Sequence, residues 1–81
     1  MVGEGAGTHR VLVGRVYKHH KGGLYTVVSV ALESTNSRQR LPVVVYVSLS
    51  RGFINVRDLS EWEEVIRWSD GYDRPRFVLA D

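Results

Sequence analysis

Cysteine is absent from the 81 residues. Disulfides and thiolate metal sites are excluded together. The three histidines, His9, His19 and His20, have no carboxylate partner at ligand spacing. His19 and His20 are adjacent in a strand-like run, where neighbours point to opposite faces. Zinc needs three or four convergent ligands, so no metal is expected. No long apolar run exists either. The longest, Leu41 to Val47, contains Pro42 and is far too short to span a bilayer, so no membrane partner is expected. The glycine-rich Met1 to Thr8 segment lacks the apolar core of a secretion signal. Residues 1–9 read as a flexible lead-in and residues 10–81 as a single domain. With no cysteine, the reading is cytoplasmic. Catalytic signatures are missing too: no P-loop, dinucleotide fingerprint, nucleophile elbow or two-cysteine motif. Ser48, Ser50 and His19 sit in no triad pattern. Glu63 and Glu64 read as a solvated pair. The expectation is a chain that is not an enzyme and uses no cofactor.

What is present begins with charge. The formal net charge is +2, but it is unevenly spread. Met1 to Arg57 holds eight Lys/Arg against two Asp/Glu, while Asp58 to Asp81 holds three against seven. A basic face attracts anions, nucleic acid included. An acidic edge would meet the basic face of a second copy. The plain alternative is ordinary solvated charge.

The apolar pattern is that of short strands. Gly14 to His19 is rich in β-branched and aromatic residues and reads as the first strand. His20-Lys21-Gly22-Gly23 makes a tight connection. Leu24 to Glu33 alternates with period two. Leu24, Thr26, Val28, Val30 and Leu32 form the more apolar set and are expected to face the core. Ser34 to Arg40 is a polar loop. Val43 to Leu49 is β-branched over most of its length, as in a central strand covered on both faces. Ser50-Arg51-Gly52 turns into a strand from Phe53 to Arg57. Ser60-Glu61-Trp62-Glu63 matches a capping box. One helical turn is expected near Leu59 to Trp62, then a strand from Glu64 to Trp68. Asp70-Gly71-Tyr72-Asp73 is a turn, and Pro75 to Leu79 closes the fold. The fold class is all-β: a small SH3-like barrel or a strongly bent antiparallel sheet, with five to six strands and one short helical turn.

Several segments also match a known pattern. They are Gly14-Arg15-Val16-Tyr17-Lys18-His19-His20-Lys21-Gly22 with Tyr25 and Val27, then Val44-Val45-Tyr46, Val56-Arg57, Trp62, and Arg74-Pro75-Arg76-Phe77. In this order they resemble a small bacterial family, domain of unknown function 1653. The sequence departs from it at Asp58, where the family usually has proline. It departs again at Ser34-Thr35-Asn36, where the family carries a Ser-Glu-Thr-like acidic segment. The resemblance implies a compact β domain and no established activity.

Candidate ligand-binding residues are Tyr17, Lys18, His19, Lys21, Tyr25, Arg38, Arg40, Tyr46 and Arg57. Lys21 and the backbone N–H groups near Gly22-Gly23 suit phosphate. The alternative for this cluster is a solvated hairpin tip. Arg57 and Arg76 carry forked donors that match carboxylate or phosphate. For Arg76 an internal ion pair is the better reading, and for Arg57 both readings stand. Tyr25, Tyr46, Trp62, Trp68 and Tyr72 are able to form a stacking platform, although Trp62 is the natural core residue. Two functions follow. The first is a binding module for nucleic acid or another anionic, phosphate-bearing ligand. The second is a protein-interaction or self-assembly module, a homo-oligomer that pairs basic face with acidic edge.

Overall fold

Two long β-branched runs meet at the centre of the chain and organise everything else. The computed structural model describes residues 10–81; the lead-in assigned to residues 1–9 lies outside the described residues. Seven strands form: β1 Val16–His19, β2 Leu24–Leu32, β3 Pro42–Ser48, β4 Ile54–Asp58, β5 Val65–Arg67, β6 Asp73–Pro75 and β7 Phe77–Leu79. A single helical turn, α1, spans Leu59–Trp62, and a 3₁₀ turn spans Asn36–Arg38. Five strands make one antiparallel sheet in the order β4-β3-β2-β1-β7, and β5 pairs with β6 in a two-stranded ribbon. The larger sheet is strongly bent but open, with β4 and β7 as its edges. Of the two architectures expected, the bent sheet is therefore the one found. The strand count exceeds expectation because Arg76 divides the closing run. Its N–H bonds to the Glu64 carbonyl and its carbonyl to the His20 N–H, so the chain leaves the ribbon and enters the sheet within one residue.

The face assignment for β2 needs correction. Tyr25 and Val27, not Leu24, Thr26 and Val28, point into the core along its first half. Val27 is 1% exposed and Val28 is 46% exposed. The cause is a β-bulge. Val27 pairs with Tyr46 and Ser29 with Val45, so Val28 is an extra residue opposite nothing. One extra residue reverses the alternation. Beyond the bulge Val30 faces the core, as expected, across from Val44. Leu32, at the strand end, remains exposed. The bulge also bends the strand. There the Gly14 N–H bonds to the Val27 carbonyl and the Val27 N–H to the Arg15 carbonyl.

The core fills the inner side of this bend. Val11, Tyr17, Val27, Val44, Tyr46, Trp62 and Phe77 form one buried cluster. Trp62 stacks on Phe77 with ring centroids 3.7 Å apart and planes 5° from parallel. Tyr17 and Tyr46 meet the same indole edge-on at 5.4 and 5.0 Å. Trp62 is thus the core residue expected of it. The capping box is not formed, however. Helix α1 begins at Leu59 with Asp58 as its N-cap and no side-chain cap bond, so Ser60 lies inside the turn rather than at its start. The first strand begins at Val16 rather than Gly14, because Gly14 has a φ of 86° and belongs to a turn.

The acidic end packs on its own domain. Arg15 pairs with Asp81, Arg38 with Asp58, and Arg57 with Glu61 at 3.6 Å. The ribbon is held similarly by Arg67–Asp73, Arg74–Asp70 and Arg76–Glu64. Surface pairs of this kind contribute about 0–1 kcal/mol each, so they orient segments more than they stabilise them. Chain reversal at the bulge generates one prediction. Val27→Ala should cost roughly 2 kcal/mol through lost burial and a residual cavity. Val28→Ala should cost less than half of that, because Val28 is half exposed. Urea unfolding midpoints of the two variants measure the difference, and equal losses would contradict the bulge.

Candidate functional site

Period-two alternation on β1, β3 and β4 carries a particular set of side chains to the inner face. Tyr17 and His19 share it on β1, Val44 and Tyr46 on β3. Asn55 and Arg57 on β4 stand opposite Tyr46 and Val44. Phe77 on β7 stands opposite His19. Near the core these positions are buried, the rings of Tyr17, Tyr46 and Phe77 among them. Toward the mouth of the bend they become polar and more accessible.

The result is an aromatic floor. Phe77 lies 4.8 Å from His19, 5.8 Å from Tyr25 and 5.5 Å from Tyr46, and Tyr25 lies 5.4 Å from Tyr46, each pair edge-to-face. The Arg57 guanidinium sits 5.5 Å above the Phe77 ring and donates through Nε to the Tyr46 hydroxyl at 3.3 Å. Arg76 donates through Nε to the Glu61 carbonyl and pairs with Glu64 at 2.6 Å, so it takes the internal role expected of it.

His19 reports the local potential. Its Nδ1 accepts the Lys21 N–H at 3.1 Å, which requires an unprotonated nitrogen. Its pKa falls from 6.5 to about 4, first through desolvation and then through the positive fields of His20, Arg57, Arg76 and Lys21. No carboxylate offsets them among the causes. His20 is lowered in the same direction, mainly by desolvation and Lys21. The two imidazoles were expected to point apart, but their rings lie 4.4 Å from each other. Strand β1 ends at His19, so alternation no longer governs His20. Even so, no group of three or more His, Cys, Asp or Glu able to hold a metal occurs among the described residues.

Two hollows open beside the floor and share Asn55. One of about 350 Å³ is lined by Gly23, Tyr25, Ser48, Ser50, Arg51, Phe53 and Asn55. The other, about 540 Å³, is lined by Arg38, Tyr46, Asn55, Val56, Arg57, Asp58 and Glu61. A third, about 490 Å³, runs along the apolar edge of the core by Val11, Tyr17, Leu59 and Trp62, with Arg10 and Glu63 as its charged residues.

The nine candidate residues separate accordingly. His19, Tyr25, Tyr46 and Arg57 converge on the inner face, and Lys21 lies beside them at the hairpin. Tyr17 shares that face but is buried, its hydroxyl accepting the Leu12 N–H at 2.9 Å, and Tyr46 is buried to the same degree. Lys18 alternates with its neighbours and points to the opposite, outer face. Arg38 borders the second hollow with its guanidinium engaged by Asp58. Arg40 stands in the loop before β3 with a φ of 65°, away from the floor. Arg51, Phe53, Asn55 and Phe77 were not among the candidates. Phe53, Asn55 and Arg57 share one parity in the run FINVR, which was a readable signal. Arg51 and Phe77 carried none, because only the bend brings a turn and the last strand to one place.

These features define a small open-sheet domain with an aromatic, cation-rimmed inner face. Residues 15–79 match the family described as protein of unknown function DUF1653, and the chain belongs to that family. The fold is similar to the crystal structure of a protein belonging to DUF1653 from Bordetella bronchiseptica. The two share 28% identity, the match covers 93% of this chain and 91% of that one, and the TM-score is 0.70. No curated protein matches the sequence.

The neutral state of His19 sets a pH response. Between pH 6.5 and about 4 the unfolded chain binds this proton and the folded chain does not. Stability therefore falls as pH drops through that window and levels off below it. His19→Gln should flatten this part of a stability-against-pH curve measured by urea unfolding, leaving the smaller contribution of His20. An unchanged slope would mean that His19 is not held neutral.

Proposed function

We propose that this chain is a non-catalytic binding domain that takes an anionic, phosphate-bearing ligand, nucleic acid included, on the inner face of its sheet. The observation that carries this reading is the grouping of Lys21, Arg51, Arg57 and Arg76 around the accessible rings of His19 and Tyr25, which cover the buried Tyr46 and Phe77. Among the described residues Lys21 and Arg51 have no ion-pair partner, so their charge is not neutralised within the fold. Positive charge over a low-dielectric aromatic surface attracts anions more strongly than the same charge in open solvent. The remaining candidate cations spread elsewhere, which favours a compact ligand contact over a long tract.

Titration of the 15N-labelled chain with inorganic phosphate and with a short single-stranded oligonucleotide tests this reading. Shifts should centre on Lys21, Tyr25, Arg51 and Arg57. Strand affinity should fall with salt at a log–log slope of about −0.7 per phosphate neutralised. Arg51→Ala should weaken binding without loss of the fold, since Arg51 is exposed. No shifts at about 50 mM salt would overturn it.

A second reading, self-association, is favoured by the open β4 edge. Ile54 and Val56 there are 67% and 61% exposed, with Phe53 just before the strand at 71%, and an apolar edge strand is a template for a further strand. Pairing of basic face with acidic edge is the weaker form, because Asp58, Glu61, Glu64, Asp70, Asp73 and Asp81 already have intrachain partners. Sedimentation of the chain should show a dimer that Val56→Lys disperses. A monomer at all concentrations removes this reading. No helix among the described residues is long and apolar enough to cross a membrane.

A further inference from the structure

The hollow beside Tyr25 differs chemically from the floor it adjoins. Phe53 is an aromatic ring left 71% exposed, and it lines the same hollow as the half-buried ring of Tyr25. Gly23 leaves room for the Tyr25 ring: a Cβ at position 23 would sit 2.9 Å from the Tyr25 hydroxyl oxygen. The polar groups are few and only partly used. Asn55 donates through Nδ2 to the Phe53 carbonyl at 3.1 Å, which leaves its amide oxygen as an acceptor. The Ser48 and Ser50 hydroxyls lie 3.2 Å apart and share one hydrogen bond, while Ser48 Oγ also accepts the Arg51 N–H at 3.3 Å. Whichever serine donates, one hydroxyl proton stays uncommitted. Aromatic walls with one acceptor and one donor suit a flat heterocycle whose edge carries both kinds of group. The volume, about 350 Å³, falls in the range of about 300–1,000 Å³ common for small-molecule sites.

One exposed cation, Arg51, lines this hollow itself. Arg57 lines the next, with Asn55 common to both. Arg57 Nε is bound to Tyr46 and its Nη1 lies 3.6 Å from Glu61, which leaves donors on the guanidinium unused.

We propose that the ligand is a nucleotide unit, its base held at Tyr25, Phe53 and Asn55 and its phosphate at Arg51. The unit is either a free nucleotide or one residue of a single strand. This rests on the anion reading of the inner face and goes further by assigning a base subsite. It places stacking on a residue, Phe53, that has no part in the core.

The test compares four probes on the whole chain by calorimetry: inorganic phosphate, a nucleoside, the matching nucleoside monophosphate and a short oligonucleotide. Stacking on one aromatic wall should make the monophosphate about tenfold tighter than inorganic phosphate. Phe53→Leu should remove most of that gain and leave phosphate binding unchanged, while Arg51→Ala should weaken both. A strand that binds more tightly than the monophosphate identifies a polymer as the source, and equal affinity identifies a free nucleotide. Monophosphate and phosphate binding alike would overturn the base subsite while the anion reading stands. If phosphate, nucleotide and strand all fail to bind, both readings fall. A nucleoside as tight as its monophosphate would overturn the phosphate contact.

Discussion

The stacking of Trp62 on Phe77 is the contact on which the rest of the architecture depends. An open five-stranded sheet has one face to bury and, in this domain, no long helix to cover it. A single indole, delivered by a four-residue helical turn, performs that task. Tyr17 from β1, Tyr46 from β3 and Phe77 from β7 all meet it, so one side chain links the centre of the sheet to an edge. Large aromatic rings contribute the most burial per residue, which matters in a domain this small. The bend follows from the same constraint. A flat sheet would not bring β1, β3 and β7 to one ring, and the bulge at Val28 supplies local twist.

The inner face then divides by distance from that indole. Close to it, Val27, Val44 and Tyr46 are buried and serve stability. Farther out, the rings of His19 and Tyr25 share the floor with arginines whose aliphatic stems and planar heads tolerate aromatic surroundings. His19 is held neutral first by desolvation and then by the fields of His20, Arg57, Arg76 and Lys21. The same positive field that disfavours a proton on His19 favours an anion nearby. Core and candidate site are therefore two zones of one surface, which is why several residues of the opening motif belong to both.

Much of the fold was legible in the primary structure. The β-branched run at Val43 to Val47, the turn glycines and Trp62 carry their meaning locally, since alternation, positive φ and ring burial are properties of short segments. The bulge was not legible. Nothing in LYTVVSVAL distinguishes a regular strand from one with an extra residue, and the more apolar set proved to be the exposed one over its first half. Hydrophobic alternation assigns faces only if the count of residues on both strands agrees, and that count belongs to the pair. The capping-box pattern failed for a similar reason: β4 runs directly into α1, so Asp58 occupies the cap before Ser60 is reached.

Amino-acid order alone determined the all-β class, the absence of thiol chemistry, the tryptophan core and the charge contrast between the two ends. These depend on composition and on neighbours within a few residues. The tertiary structure decided which charges remain unpaired and which side chains share a face. Arg15 meets Asp81, and Phe53 and Tyr25 come to line one hollow, only after the strands have paired and the sheet has bent. A site assembled from a hairpin turn, an edge strand and the last strand has no contiguous trace in sequence, because the contacts that create it are made by folding rather than by chain proximity.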